Sequence, residues 1–128
     1  MDFPFELVSP ERVLFSGEAT EVVVPAAEGE VTVLAGHAPF MSAIRAGVVR
    51  IDGSKRLFVR GGFADVSEGG VTLLAEVAVA VEDIDPEKVS GQIKDAEEDL
   101  RDAKTDADRA KASDALAGLK DMLAAVRQ

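Results

Sequence analysis

The sequence predicts a β + α chain: an N-terminal ten-stranded antiparallel β-sandwich over residues 1–84, followed by a C-terminal antiparallel two-helix hairpin over residues 85–128. Three observations carry this prediction. Up to Val81 valine dominates, and short apolar runs are broken by turn residues about every 8 to 12 positions, the spacing of a sandwich or barrel. After Asp85 the apolar residues recur at alternating intervals of four and three, which is the period of a helix with one buried stripe. Between the two lies Asp83-Ile84-Asp85-Pro86, where Asp85 suits an N-cap and Pro86 the first helical position, at which a missing N–H costs nothing.

Strands are expected near residues 5–8, 12–15, 19–25, 31–34, 40–44, 48–52, 55–60, 63–66, 71–74 and 76–81. The breaks between them are Ser9-Pro10, Gly17, Gly29, Gly36 to Pro39, Gly47, Asp52-Gly53, Gly61-Gly62 and Gly69-Gly70. Val49 and Ile51 alternate with Arg50 and Asp52, the pattern of a half-buried antiparallel strand. Asp52-Gly53 suits a type I′ hairpin turn, which needs positive φ at both central residues. Val22-Val23-Val24 and the run from Val71 to Ala75 are apolar on both faces, so they lie inside a two-layer sandwich or face a partner. Gly61-Gly62 has the composition of a phosphate cradle, but Phe63, Ala64 and Asp65 follow it in a strand rather than a helix bearing lysine and hydroxyl, so it reads as a bulge or tight corner.

In the helical part Val89, Ile93, Ala96, Leu100 and Ala103 form one stripe on a helix ending near Lys104, and Thr105-Asp106 makes the turn. A second helix runs to about Val126, with Ala112, Ala115, Leu116, Leu119, Met122, Leu123 and Val126 on its buried side. Glu87 and Asp108 in the first turns, and Lys104 and Arg127 near the ends, complement the helix dipoles. Folding the chain at that turn brings Gly91 and Gly118 to nearly the same height, which implies either a close backbone approach or a soft point. With a stripe made mostly of alanine, the hairpin is expected to be marginal without the sandwich or a partner.

Composition narrows the function. A formal charge of −10 disfavours nucleic acid, whose phosphates call for surplus lysine and arginine, and opposes contact with an anionic lipid surface. Without cysteine the chain has neither disulfides nor thiolate metal sites. The opening Met1-Asp2-Phe3-Pro4-Phe5-Glu6 has no basic region or apolar run of a signal peptide, and no window reaches the roughly 20 apolar residues of a membrane span. Nucleotide-hydrolysis loops, a Gly-x-Ser-x-Gly elbow and His-Glu-x-x-His are all missing, and neither cofactor nor metal is expected.

One stretch gathers chemistry: Glu28-Gly29-Glu30 and Gly36-His37-Ala38-Pro39-Phe40 bracket the short apolar strand at 31–34. His37 is the only histidine. On residue types alone it is a general base, a metal ligand, a pH switch or a turn histidine bonded to nearby backbone.

The same stretch is where the chain resembles the epsilon subunit of F-type ATP synthases, called delta in mitochondria. Other matches fall in order: Leu7-Val8-Ser9-Pro10 before Leu14-Phe15-Ser16-Gly17, then Gly47-Val48-Val49-Arg50-Ile51, Gly61-Gly62-Phe63 before Val66, and Val71-Thr72-Leu73-Leu74-Ala75-Glu76. The likeness covers about the first 84 residues, and the tail agrees in length and pattern. It implies a non-catalytic central-stalk subunit, peripheral at the cytoplasmic face of the bacterial inner membrane. It further implies a sandwich that binds the gamma subunit on one side and the membrane rotor ring on the other, with the hairpin in reach of the alpha and beta subunits.

Carried over by position, Glu30 and His37 match family positions at the contact with the ring's polar loops, and Glu28, Pro39 and Phe40 flank them. The family's ring loop offers an arginine, for which a carboxylate is a charge-assisted partner. Thr32 stands where the family commonly has glycine and Ala35 where it commonly has proline. Some bacterial members bind ATP through Ile/Leu-Asp-x-x-Arg-Ala, aligned here with Ile84-Asp85-Pro86-Glu87-Lys88-Val89. Lys88 and Val89 replace arginine and alanine, which removes the bidentate grip on phosphate, so ATP binding is not carried over. Two other classes compete with this reading: a stand-alone β-sandwich binding module with a regulatory hairpin, and a small hydrolase or lyase using His37 with Glu28 or Glu30.

Overall fold

The computed structural model describes residues 1–127 and divides by its internal contacts into two units, Met1–Val81 and Glu82–Gln128. The first holds eight strands: β1 (Phe3–Val8), β2 (Val13–Ala19), β3 (Glu21–Ala26), β4 (Gly29–Leu34), β5 (Phe40–Ala43), β6 (Gly47–Ile51), β7 (Lys55–Ser67) and β8 (Gly70–Ala80). Eight replace the expected ten because β7 and β8 each run through a predicted break. Residues 55–60 and 63–66 are one strand, as are 71–74 and 76–81 as far as Ala80.

The pairing explains why two long strands serve as four. One edge of β7 is shared end to end: β6 pairs with its first part, Gly47 opposite Val59 and Ile51 opposite Lys55, and β5 with its second, Phe40 opposite Val66 and Ala43 opposite Phe63. On its other edge β7 pairs with β8 along nearly the whole length. The sheet therefore has two five-stranded halves, β2-β1-β8-β7-β5 and β8-β7-β6-β3-β4, with the β7–β8 hairpin common to both. Gly61 and Gly62 sit at the junction with φ of 74° and 106°, left-handed values that other residues rarely adopt. A Cβ on Gly62 would collide with the Leu74 carbonyl oxygen, so the corner needs glycine for space as well as for φ.

The inward faces of both halves meet in one core, with Phe5, Leu7, Val66 and Leu73 from one side and Val22, Val24, Val49 and Leu57 from the other. The pairing is not wholly antiparallel, because β1 runs parallel to β8, with Phe5 opposite Val71 and Val8 opposite Leu74. Gly17 lies inside β2 rather than at a turn. Asp52 (φ 53°) and Gly53 (φ 74°) form the expected type I′ turn. Asp52 does more than turn the chain, since its Oδ1 accepts from the backbone N–H of Thr20 at 2.7 Å and of Glu21 at 3.0 Å.

A 3-10 turn, Val81–Asp83, spans the boundary, and the second unit holds α1 (Pro86–Asp102) and α2 (Asp106–Val126). Asp85 is the N-cap of α1 and accepts from the N–H groups of Glu87 (3.0 Å) and Lys88 (3.3 Å). Thr105 is the N-cap of α2, and its hydroxyl accepts from the Asp108 N–H at 3.0 Å. Thr105 therefore belongs to the helix start, Asp106 is already helical, and α1 ends at Asp102 rather than Lys104. Val89 and Ala96 on α1 are buried as the stripe predicts, but on α2 the buried residue is Ala125, while Ala115 is exposed and the leucines are half-buried. A Cβ on Gly91 would meet nothing within 4 Å, so close backbone approach is not what that glycine provides.

Candidate functional site: two ends of β4 and an apolar row

Glu30 is the second residue of β4, opposite Pro25 of β3, and its side chain points away from the core. Its Oε2 lies 3.5 Å from Nη1 of Arg50 on β6, the side chains being 57% and 33% exposed respectively. The ion pair crosses β3 diagonally, because Arg50 stands opposite Val23 and Glu30 opposite Pro25. Glu28 is exposed in the two-residue turn between β3 and β4, whose closing pair is Ala26 and Gly29.

His37 lies beyond the other end of β4. Its backbone N–H donates to the Leu34 carbonyl (3.1 Å), its Nδ1–H donates to the Ala38 carbonyl (2.7 Å), and its ring meets that of Phe40 edge-on at 5.3 Å and 60°. Pro39 is exposed, and Phe40 opens β5. The turn borders a cavity of about 240 Å3 lined by Phe3, Val33, Val66 and Val71 together with His37 and Glu68.

The structure thus brings His37 and Phe40 together, with Pro39 between Ala38 and Phe40, and separately Glu30 and Arg50, with Glu28 exposed in the adjoining turn. It does not bring the two groups together: the strand from Glu30 to Leu34 alone spans about 13 Å at about 3.3 Å per residue. His37 therefore has no carboxylate partner in Glu28 or Glu30, and the hydrolase or lyase built on that dyad has no site. In the degraded ATP motif Ile84 is buried, the Asp85 carboxylate is taken up in capping α1, and Lys88 is exposed. Among the described residues there is no group of three metal-ligating side chains, and no helix is long and apolar enough to cross a membrane.

A third feature is an apolar row that sequence reasoning did not assemble. Register places Ala43, Phe63, Leu74, Val8 and Val13 side by side across β5, β7, β8, β1 and β2. Phe63, Leu74 and Val13 are 59%, 54% and 56% exposed, and Met41 on the next row is exposed too. An apolar cavity of about 280 Å3, lined by Val8, Ser9, Pro10, Leu74, Ala75 and Glu76, adjoins the row. The row beyond is polar and partly acidic: Met41, Asp65, Thr72, Glu6 and Ser16. The signal available in the sequence was the run from Val71 to Ala75, apolar on both faces. Leu73 and Ala75 are its core side, and Leu74 is the outward member that the core does not use.

Residues 2–81 match the family described as ATP synthase, Delta/Epsilon chain, beta-sandwich domain. Relatives named ATP synthase epsilon chain include those of Mesorhizobium japonicum, 49% identical over 97% of this chain and 95% of the relative, and of Parvibaculum lavamentivorans, 44% identical over 92% of each. The fold is also that of a chain in the Euglena gracilis mitochondrial ATP synthase (OSCP/F1/c-ring), with a TM-score of 0.81 at 24% identity over 98% of this chain and 81% of that one. A chain of the central stalk and c-ring assembly of the Tetrahymena thermophila enzyme agrees with a TM-score of 0.70 at 10% identity over 98% of this chain and 97% of that one. With the sandwich matched almost from end to end, and with relatives near half identity spanning both units, the chain belongs to the delta/epsilon family of ATP synthase subunits.

Proposed function

We propose that the chain is a non-catalytic rotor subunit of the ATP synthase central stalk, at the cytoplasmic face of the bacterial inner membrane, coupling rotation of the membrane ring to ATP synthesis elsewhere in the complex. The observation that carries this reading beyond family membership is the exposed row of Val8, Val13, Phe63 and Leu74. Large apolar side chains aligned across four strands suit a long-lived protein interface. The row is assigned to the gamma subunit. Met41, on the same face of β5 as Ala43, borders the row, whereas Phe40 stands opposite Val66 and packs against the core, so the His37, Pro39 and Phe40 group stays assigned to the rotor ring, as the resemblance implies. Glu28 and Glu30, at the far end of β4, are assigned to the rotor ring, where a cationic loop would meet an exposed carboxylate. The hairpin, with Lys88 and Val89 in place of arginine and alanine, is assigned no nucleotide; contact with the alpha and beta subunits is its proposed role.

Reconstitution of the complex with variant chains tests both surfaces. Phe63→Asp puts an unpaired carboxylate into the apolar interface and should weaken retention at least about 30-fold. Glu30→Lys should leave the chain on the shaft but lower the protons pumped per ATP hydrolysed. Unchanged co-purification of Phe63→Asp with gamma overturns the first assignment, and unchanged pumping by Glu30→Lys overturns the second.

A further inference from the structure

We infer that Arg50 is the positioning residue of the ring contact: it holds the Glu30 carboxylate in the orientation in which a cationic side chain of the ring's loop meets it. This rests on the assignment of Glu30 to the ring. The two residues differ in how firmly the fold holds them. Glu30 is on β4, at the end of the strand order, with a neighbour on one side. Arg50 is on β6, which has β3 on one side and β7 on the other, and it stands between Val23 and Arg56. An edge carboxylate with several rotatable bonds is thereby tied to a guanidinium on an inner strand, and the tie runs over β3 rather than along one strand.

The geometry leaves Glu30 available while held. The ion pair engages Oε2 of Glu30, and a carboxylate accepts several donors on its two oxygens. Two effects then oppose each other. The Arg50 charge weakens the pull of Glu30 on an arriving cation, whereas fixing the side chain beforehand removes part of the ordering cost that binding otherwise carries. Both groups are partly solvated, so the charge effect is screened and the ordering effect is not, and the balance favours binding.

The test is a double-mutant cycle, with full-length chain titrated onto membrane-embedded ATP synthase depleted of it. Arg50→Gln should raise Kd by about two- to tenfold, the range for ordering one long side chain. The same substitution made with Glu30→Gln should have no further effect, and Arg50→Lys should restore part of the affinity, since it keeps the charge without the planar fork. An equal loss from Arg50→Gln in both backgrounds means that Arg50 acts through the sheet and overturns the inference. So does unchanged or tighter binding of Arg50→Gln alone, the latter because Arg50 would then compete for the carboxylate. If Glu30→Gln itself leaves Kd and proton pumping unchanged, it is the ring assignment that falls, a result distinct from either of the others.

Discussion

The sandwich is sparsely charged and the hairpin densely so, and the two are unlike in how they hold together. The sandwich closes on one cluster of 17 buried apolar residues drawn from both halves of the sheet. The two helices bury Val89, Ala96 and Ala125, two of the three being alanines. Burial of a Leu or Val side chain contributes about 1.5–3 kcal/mol and alanine far less, so the same chain carries a stiff unit and a unit whose packing leaves little reserve. Both helices are nonetheless capped, by Asp85 and by Thr105, so local signals determine where a helix begins without deciding how firmly it is held.

Four substitutions can break or sharpen that contrast. Gly62→Ala forces a Cβ into the Leu74 carbonyl at a left-handed φ, and should destabilise the sandwich by about 3 kcal/mol or more, read by urea unfolding of the first unit. Leu73→Ala in the core should cost about 2–5 kcal/mol in the same experiment, whereas Ile93→Ala, half-buried on α1, should cost nearer 1 kcal/mol; equal losses would erase the distinction between the units. Thr105→Ala removes the hydroxyl that accepts from Asp108 and should weaken α2 by about 1 kcal/mol, seen as faster amide exchange in its first turn with the β core unaffected.

What the sequence made legible follows the range of the interactions. Asp85-Pro86 announces α1 and Asp52-Gly53 announces its hairpin turn because each signal acts within a few residues. Gly61-Gly62 was legible as a bulge or tight corner, but the strands on its two sides were not legible as one: a glycine pair ends one strand and bends another with the same backbone freedom, and only the partners on either side distinguish the two outcomes. The parallel pairing of β1 with β8 joins residues more than sixty apart in sequence, and no local pattern encodes it. The same limit hid the apolar row, whose five members come from five strands, and the tie between Glu30 and Arg50, which depends on the register of β3 with both neighbours. Glu30 and His37 were legible as the two ends of one strand, and the extended strand converts that short sequence separation into distance.

The bend at Gly61-Gly62 has a mechanical consequence. In a sandwich whose layers are joined only by loops, a sideways load on one layer reaches the other through side-chain packing, which can slip. Here β7 and β8 pass through both halves without interruption, so a twist applied at the Phe63 and Leu74 face travels toward the Arg50 side along covalent backbone and its ladder of hydrogen bonds. The glycines that let the sheet turn are thus also what allows a single stiff ribbon to carry load from one surface to the other.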